Sequence, residues 1–355
     1  MPIGPRIACA VRICNEGMVL KKFAFNTMSK LLFFGLLLVG VPSVAQQETI
    51  ENPVADNGHD PWVVQHDGAY YYCYSHNGRI WVNRDQTLQK ACQFEGRSIW
   101  QPPAGTPYSK EIWAPELHRI QNRWYIYFAA DDGENANHRM YVLKSRSDDP
   151  LGEYDFIGKV SDKSDRWAID GTVLEFSGSL YFVWSGWEGT ENVQQNLYIA
   201  KMDSPTSISG ERVLISGPEY DWEKIGNPLI NEGPQVLKNN GKVFIIYSAS
   251  GSWTDDYCLG QLSLIGDDPL DPGAWKKSRT PVFSGTGTVF SPGHASFVKS
   301  PDGSEDWIVY HTAKEKGSGW DRDVNLKKFS WDVEGNPAFG YPESKGLKIP
   351  APSNE

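Results

Sequence analysis

Asn231-Glu232-Gly233-Pro234-Gln235-Val236-Leu237-Lys238-Asn239-Asn240-Gly241-Lys242-Val243-Phe244-Ile245-Ile246-Tyr247 is the stretch on which most of the chain is patterned. It places a lone carboxylate beside Gly-Pro, then a short apolar strand, then a tight turn into a second strand. Asn-Gly between apolar runs is a strong hairpin signal, because both turn residues must take positive φ. The flanking Val236, Val243, Phe244, Ile245, Ile246 and Tyr247 are β-branched or aromatic, as strands prefer.

Four further copies occur. Asp60-Pro61-Trp62-Val63-Val64 passes through Asp67-Gly68 into Tyr70-Tyr71-Tyr72, and Pro115-Glu116-Leu117-His118-Arg119-Ile120 through Gln121-Asn122 into Trp124-Tyr125-Ile126-Tyr127. Asp170-Gly171-Thr172-Val173-Leu174 passes through Ser177-Gly178 into Leu180–Trp184, and Pro292-Gly293-His294-Ala295-Ser296-Phe297-Val298 through Asp302-Gly303 into Trp307–Tyr310. The leading polar residues, Asp60, Glu116, Asp170, Glu232 and His294, recur every 54 to 62 residues. A period that long, filled with short strands and no helical segment, predicts an all-β protein: a five-bladed β-propeller with four strands per blade. The stretch Phe329–Pro337 is expected to add a last strand and turn to the fifth blade, with no second domain in residues 46–355.

Residues 1–45 read as a leader outside the fold. An 11-residue apolar run, Leu31–Val41, follows Lys21, Lys22 and Lys30 and precedes the small residues Ser43-Val44-Ala45. The run is too short to span a bilayer, which favours a signal peptide over an anchor, with Met28 as an alternative start. The mature chain, from about Gln46, carries a net charge near −14, against −10 for the whole sequence. That excess of acid argues against nucleic acid or an anionic membrane as partner and suits a secreted or periplasmic protein handling a neutral ligand. Cys73, Cys92 and Cys258 are the cysteines beyond the leader. They form no C-x-x-C pair, and a Cys73–Cys92 bridge stays open. Asp131-Asp132-Gly133-Glu134 lacks the alternating spacing of a calcium loop and reads as a solvated turn.

In a propeller the innermost strand of each blade lines a central channel, so the five leading residues are expected to ring one end of it. Residues 96–112, 131–139, 186–195, 250–256 and 314–323 are expected to be loops carrying ligand contacts. Singly, each carboxylate is as well explained as a turn or cap residue. As a set they supply the paired acids of glycoside hydrolysis, in a chain that is 13% aromatic with 14 Trp, residues whose faces suit sugar C–H groups. Of these Trp113 and Trp187 are expected to meet substrate.

These motifs resemble glycoside hydrolase family 43, especially its secreted α-L-arabinofuranosidases. The matching stretches are Asn52-Pro53-Val54, His59-Asp60-Pro61, Trp113-Ala114-Pro115-Glu116, Ile169-Asp170-Gly171, Asn231-Glu232-Gly233-Pro234 and Ser291–Ser296, spread over residues 50 to 345. The resemblance implies an inverting enzyme with Asp60 as general base, Glu232 as general acid and Asp170 tuning and orienting the acid. It also implies Arg322 and Glu116 near the sugar, and His294 near a hydrated metal ion, commonly calcium, reached through water. No cofactor is implied for the chemistry itself. The implied substrate is a plant cell-wall polysaccharide or oligosaccharide, attacked by a monomer that is not membrane-bound after cleavage. A β-xylosidase, an endo-arabinanase, a retaining fructan-acting propeller and a non-catalytic sugar-binding propeller are the competing readings.

Overall fold

The computed structural model describes residues 48–355, so the leader expected at 1–45 lies outside the described residues. Five leading strands, Trp62–His66, Lys110–Ile120, Ala168–Phe176, Leu229–Asn239 and Phe290–Lys299, each open an antiparallel run of neighbouring strands. The third and fourth runs are joined by a two-residue parallel contact, Gln194 and Gln195 against Leu229 and Ile230. The architecture is all-β. Among the described residues, one four-residue helix, Leu88–Ala91, and three short 3-10 turns depart from the expectation of no helix.

The hairpins form where the turn residues predict them. Both central residues have positive φ at Asp67-Gly68, Gln121-Asn122, Ser177-Gly178 and Asn240-Gly241, the signature of a type I′ turn matched to the right-handed twist of the strands. The fifth differs. Asp302 uses its carboxylate to accept from the Ser300 hydroxyl and the Ser304 N–H, so Asp302-Gly303 closes a wider loop held by Ser300 N–H to Glu305 O.

The second strands are buried on both faces, and alternate residues enter different cores. Tyr70, Tyr72 and Tyr74 pack with Trp307, Val309 and Leu326 of the fifth run, whereas Tyr71 and Cys73 pack with Leu117, Trp124 and Ile126 of the second. The remaining clusters join the second run to the third through Tyr127 and Phe182, the third to the fourth through Val183 and Ile245, and the fourth to the fifth through Phe244 and Ile308. Cys73 and Cys92 fall in different clusters, and the three cysteines among the described residues, Cys73, Cys92 and Cys258, are buried free thiols. The bridge left open by the sequence is absent.

The outer edge of the fifth run departs from expectation. Pro337–Ala338 pairs over two residues only, while Ala55–Asp56, from the other end of the chain, takes the edge beside Arg322–Trp331. Asn52 fastens this strand by donating to Leu326 O at 2.7 Å and accepting from Leu326 N–H at 2.9 Å.

Candidate active site

Four leading strands carry a β-bulge at the same level, where the ladder skips between Trp113 and Glu116, Ile169 and Thr172, Glu232 and Gln235, and Gly293 and Ser296. At each bulge one residue has positive φ: Ala114, Asp170, Gly233 and His294, with φ from 41° to 55°. Asp60, just before the first leading strand, has φ 45°. A bulge re-aims a side chain off the regular pleat. The bulges of the last three leading strands, with the left-handed residue ahead of the first, bring Asp60, Asp170, Glu232 and His294 into a single cleft of about 1620 Å³.

His294 is the hub. Its Nδ1 lies 3.0 Å from Asp60 Oδ1, and its backbone N–H donates to the Ser248 hydroxyl at 2.9 Å. Gly233 leaves room for the ring, since a Cβ there would stand 3.2 Å from His294 Cγ and Nδ1. The Gly233 N–H donates to Asp170 Oδ2 at 3.0 Å, and the Tyr257 hydroxyl donates to Glu232 Oε1 at 2.9 Å.

The charges sort themselves by environment. Burial opposes ionisation of Asp60, but the adjacent imidazolium of His294 and the Arg322 cation outweigh it and hold this carboxyl below the usual carboxylate range. Burial likewise opposes a charge on His294, yet Asp60, Asp170 and Glu232 push it up to about 10. Asp170 is raised by burial and by the charges of Glu232 and Asp60 to about 8, against the pull of His294 and the Gly233 N–H. Burial also raises Glu232, although Tyr257, His294 and Arg322 favour its ionised form. Near neutral pH the cleft therefore holds an ionised Asp60, a cationic His294 and a proton on the Asp170–Glu232 pair, whose titration belongs to the pair. One ionised carboxylate and one protonated carboxyl group facing the same space can activate a water and protonate a leaving oxygen.

The other sequence candidates divide. Trp113 lines the cleft, stacked on His138 with centroids 3.9 Å apart. Arg322 also lines it, donating to the Ser252 carbonyl and lying over the Tyr257 ring. Glu116 is not brought to the cleft. It follows the bulge by two residues instead of standing at it, so its carboxylate points into the interior, where His118 Nε2 donates at 2.8 Å and Gln235 donates to the other oxygen. Trp187 is stacked on Trp167 at 4.7 Å and 9°, and of the two buried rings it is Trp167 that lines the cleft. The expected loops do supply the walls, through Gln101, Ala104, Asn135, Asn192, Trp253 and Trp320.

His294 does not fit direct coordination of calcium. As an imidazolium it has no free lone pair, and Ca²⁺ takes oxygen ligands. Among the described residues no group of three or more His, Cys, Asp or Glu side chains is arranged to hold a metal.

Sequence reasoning missed Tyr257 and His311. Tyr257 lies just before a strand, with no motif around it. His311 interrupts the apolar run Trp307–Tyr310 at its end, and that interruption was the available signal.

Residues 50–337 match the sequence model of glycosyl hydrolases family 43. The chain belongs to that family. This family 43 protein is 36% identical to an extracellular exo-α-(1→5)-L-arabinofuranosidase of Streptomyces avermitilis over 88% of the chain and 68% of the relative. It is 35% identical to the enzyme of the same name from Streptomyces chartreusis, over 79% and 88% of the two chains. Among solved structures, an α-L-arabinofuranosidase from Lactobacillus brevis superposes with a TM-score of 0.77 at 34% identity, covering 84% of this chain and 98% of that one. The family 43 chain is thus a glycoside hydrolase.

Proposed function

We propose that this family 43 enzyme is an inverting α-L-arabinofuranosidase that removes arabinofuranosyl units from the ends of arabinan or related plant polysaccharides. The observation that carries the mechanism is the Asp60–His294 ion pair set in one cleft with the buried Asp170–Glu232 pair. In this reading Asp60 is the base that activates water, Glu232 is the acid that protonates the leaving oxygen, and Asp170 tunes and orients that acid. Trp113 and Arg322 contact the sugar, while Glu116 and Trp187 support the wall from behind. Similarity to enzymes named arabinofuranosidases supports the substrate, and the names of two relatives support exo attack on α-(1→5) linkages.

Five propeller blades are the architecture we infer. What supports the count is that each of five buried clusters is shared by adjacent runs of strands, one of them between the fifth run and the first. The leader, with the extracellular relatives, supports secretion of a monomer cleaved near Gln46. No cofactor takes part in the chemistry, and a calcium ion near His294 would be structural and held through water. Chelation should then leave kcat within about twofold; a loss restored by calcium would give the ion a larger part.

The deciding experiment is product release from arabinan and from nitrophenyl α-L-arabinofuranoside, with xylosides and xylan alongside. Free arabinose as the first product from arabinan is expected. Oligosaccharides appearing first would indicate endo attack, and faster turnover of xylosides would reassign the substrate.

A further inference from the structure

His311 is fully buried, yet the reaction outlined above gives it nothing to do. Its surroundings are specific. Asp60 holds φ 45°, a left-handed conformation that is unfavourable for an L-residue and persists only where neighbours hold it. Two contacts do so. The carboxylate meets His294, and the Asp60 backbone N–H donates to His311 Nδ1 at 3.1 Å. The His311 ring also stacks on Tyr257, with centroids 5.7 Å apart and planes at 17°, and Tyr257 donates to Glu232.

The state of the ring follows from these contacts. Nδ1 accepts a hydrogen bond, so the proton of a neutral ring sits on Nε2, which has no hydrogen-bond partner among the described residues. Burial, then the positive charge of Arg322, hold the imidazole well below its ordinary pKa; His294 and His59 add to this and Asp60 opposes it. His311 does not line the cleft, so it is not placed to exchange a proton with substrate.

We propose that His311 is a positioning residue: its Nδ1 fixes the backbone of Asp60, and its stack on Tyr257 sets the base in register with the acid. The inference rests on the glycosidase reading given above and adds to it a residue that touches no substrate. Because the anchor acts on the base, its loss should slow every substrate by the same factor. A defect at the acid should instead grow as the leaving group becomes poorer.

The test compares two substitutions that branch alike at Cγ, His311→Asn, whose amide oxygen can accept from Asp60 N–H, and His311→Leu, which cannot. Misplacing a reacting group by about 1 Å can cost on the order of 10²-fold. His311→Leu should therefore lose about 10²-fold in kcat, with KM within about threefold of wild type, equally on nitrophenyl arabinofuranoside and on arabinan. His311→Asn should stay within about tenfold of wild type. Glu232→Ala, assayed in parallel, should lose far more on arabinan than on the aryl substrate. Melting temperatures of both His311 variants are measured alongside, and His311→Phe, which keeps the stack without the acceptor, replaces His311→Leu should that variant not fold. Equal losses in the Asn and Leu variants, a Leu variant as active as wild type, or a Leu defect that grows with leaving-group pKa would each overturn the proposal. Wild-type protein inert on every furanoside and xyloside would overturn the glycosidase reading and this inference with it.

Discussion

At the scale of single residues, the site is an exercise in keeping like groups in unlike states. Asp60, Asp170 and Glu232 are all withdrawn from bulk water to some degree, and only Asp60, with its carboxylate at the His294 ring, is held ionised. The same logic gives a pH prediction. An acid is active while protonated, so activity should fall as pH rises through the titration of the Asp170–Glu232 pair. The Tyr257 hydroxyl stabilises the ionised form of Glu232. Tyr257→Phe should therefore raise the Glu232 pKa and move the alkaline limb of kcat/KM to higher pH. A limb that stays put or moves down would show that another group sets it.

At the scale of the element, the repeated device is a bulge with one left-handed residue near the head of the leading strand. Its cost is the same wherever it occurs, but its consequence is local. Gly241, with φ 81°, has open space around its missing Cβ, whereas Gly233, with φ 55°, faces the His294 ring. Replacing either by Ala forces an L-residue into the left-handed region, worth roughly 1–2 kcal/mol. Both variants should lose a few degrees in melting temperature. Only Gly233→Ala should also lose activity, by tenfold or more, because its Cβ displaces the imidazole that pairs with Asp60. Equal activity in the two would detach the bulge from the chemistry.

At the scale of the whole molecule, the first described segment is tied to the fifth run of strands. Asn52 satisfies both the N–H and the carbonyl of Leu326 through one side chain, and all of these groups are buried. Leaving a buried backbone group unpaired costs about 1–3 kcal/mol, so Asn52→Ala should lower unfolding stability by about that much per group. Urea denaturation measures it, and an unchanged midpoint would mean water replaces the amide. The order of the strand runs also bears on stereochemistry. On a five-membered ring of radius about 4–5 Å, adjacent side chains stand about 5–6 Å apart and non-adjacent ones about 8–9 Å. Asp60 opens the first run and Glu232 the fourth, so on the proposed five-bladed ring they would be non-adjacent. Inverting glycosidases separate acid and base by about 6.5–9.5 Å to admit a water, and retaining ones by about 5–5.5 Å. Proton NMR of the earliest product should show the inverted anomer. A retained anomer, or a glycosyl group trapped on Asp170, would overturn Asp60 as base.

The sequence by itself determined the paired strands of the five hairpins, four of their five turns and the five-fold recurrence, but not strands such as Arg97–Trp100, which lies in a stretch expected to be loop. The features it determined depend on local properties: β-branched and aromatic runs, and turn residues that tolerate positive φ, as at Asn240-Gly241 and Asp67-Gly68. It also singled out Asp60, Asp170, Glu232 and His294, which share one cleft, because a repeated polar residue at the head of an apolar strand has no packing reason to be there. Only the tertiary structure decided which repeated residues face the cleft. Glu116 keeps the spacing of the other four but sits two residues beyond the bulge, and with a side-chain period of two along a pleated strand a local skip changes where a residue points. The same holds for Trp187 behind Trp167, for the edge strand Ala55–Asp56 and for the contact of His311 with Asp60 across 251 residues of sequence. Each is a meeting of distant segments, set by which strands pack together, and no local pattern of residues records it.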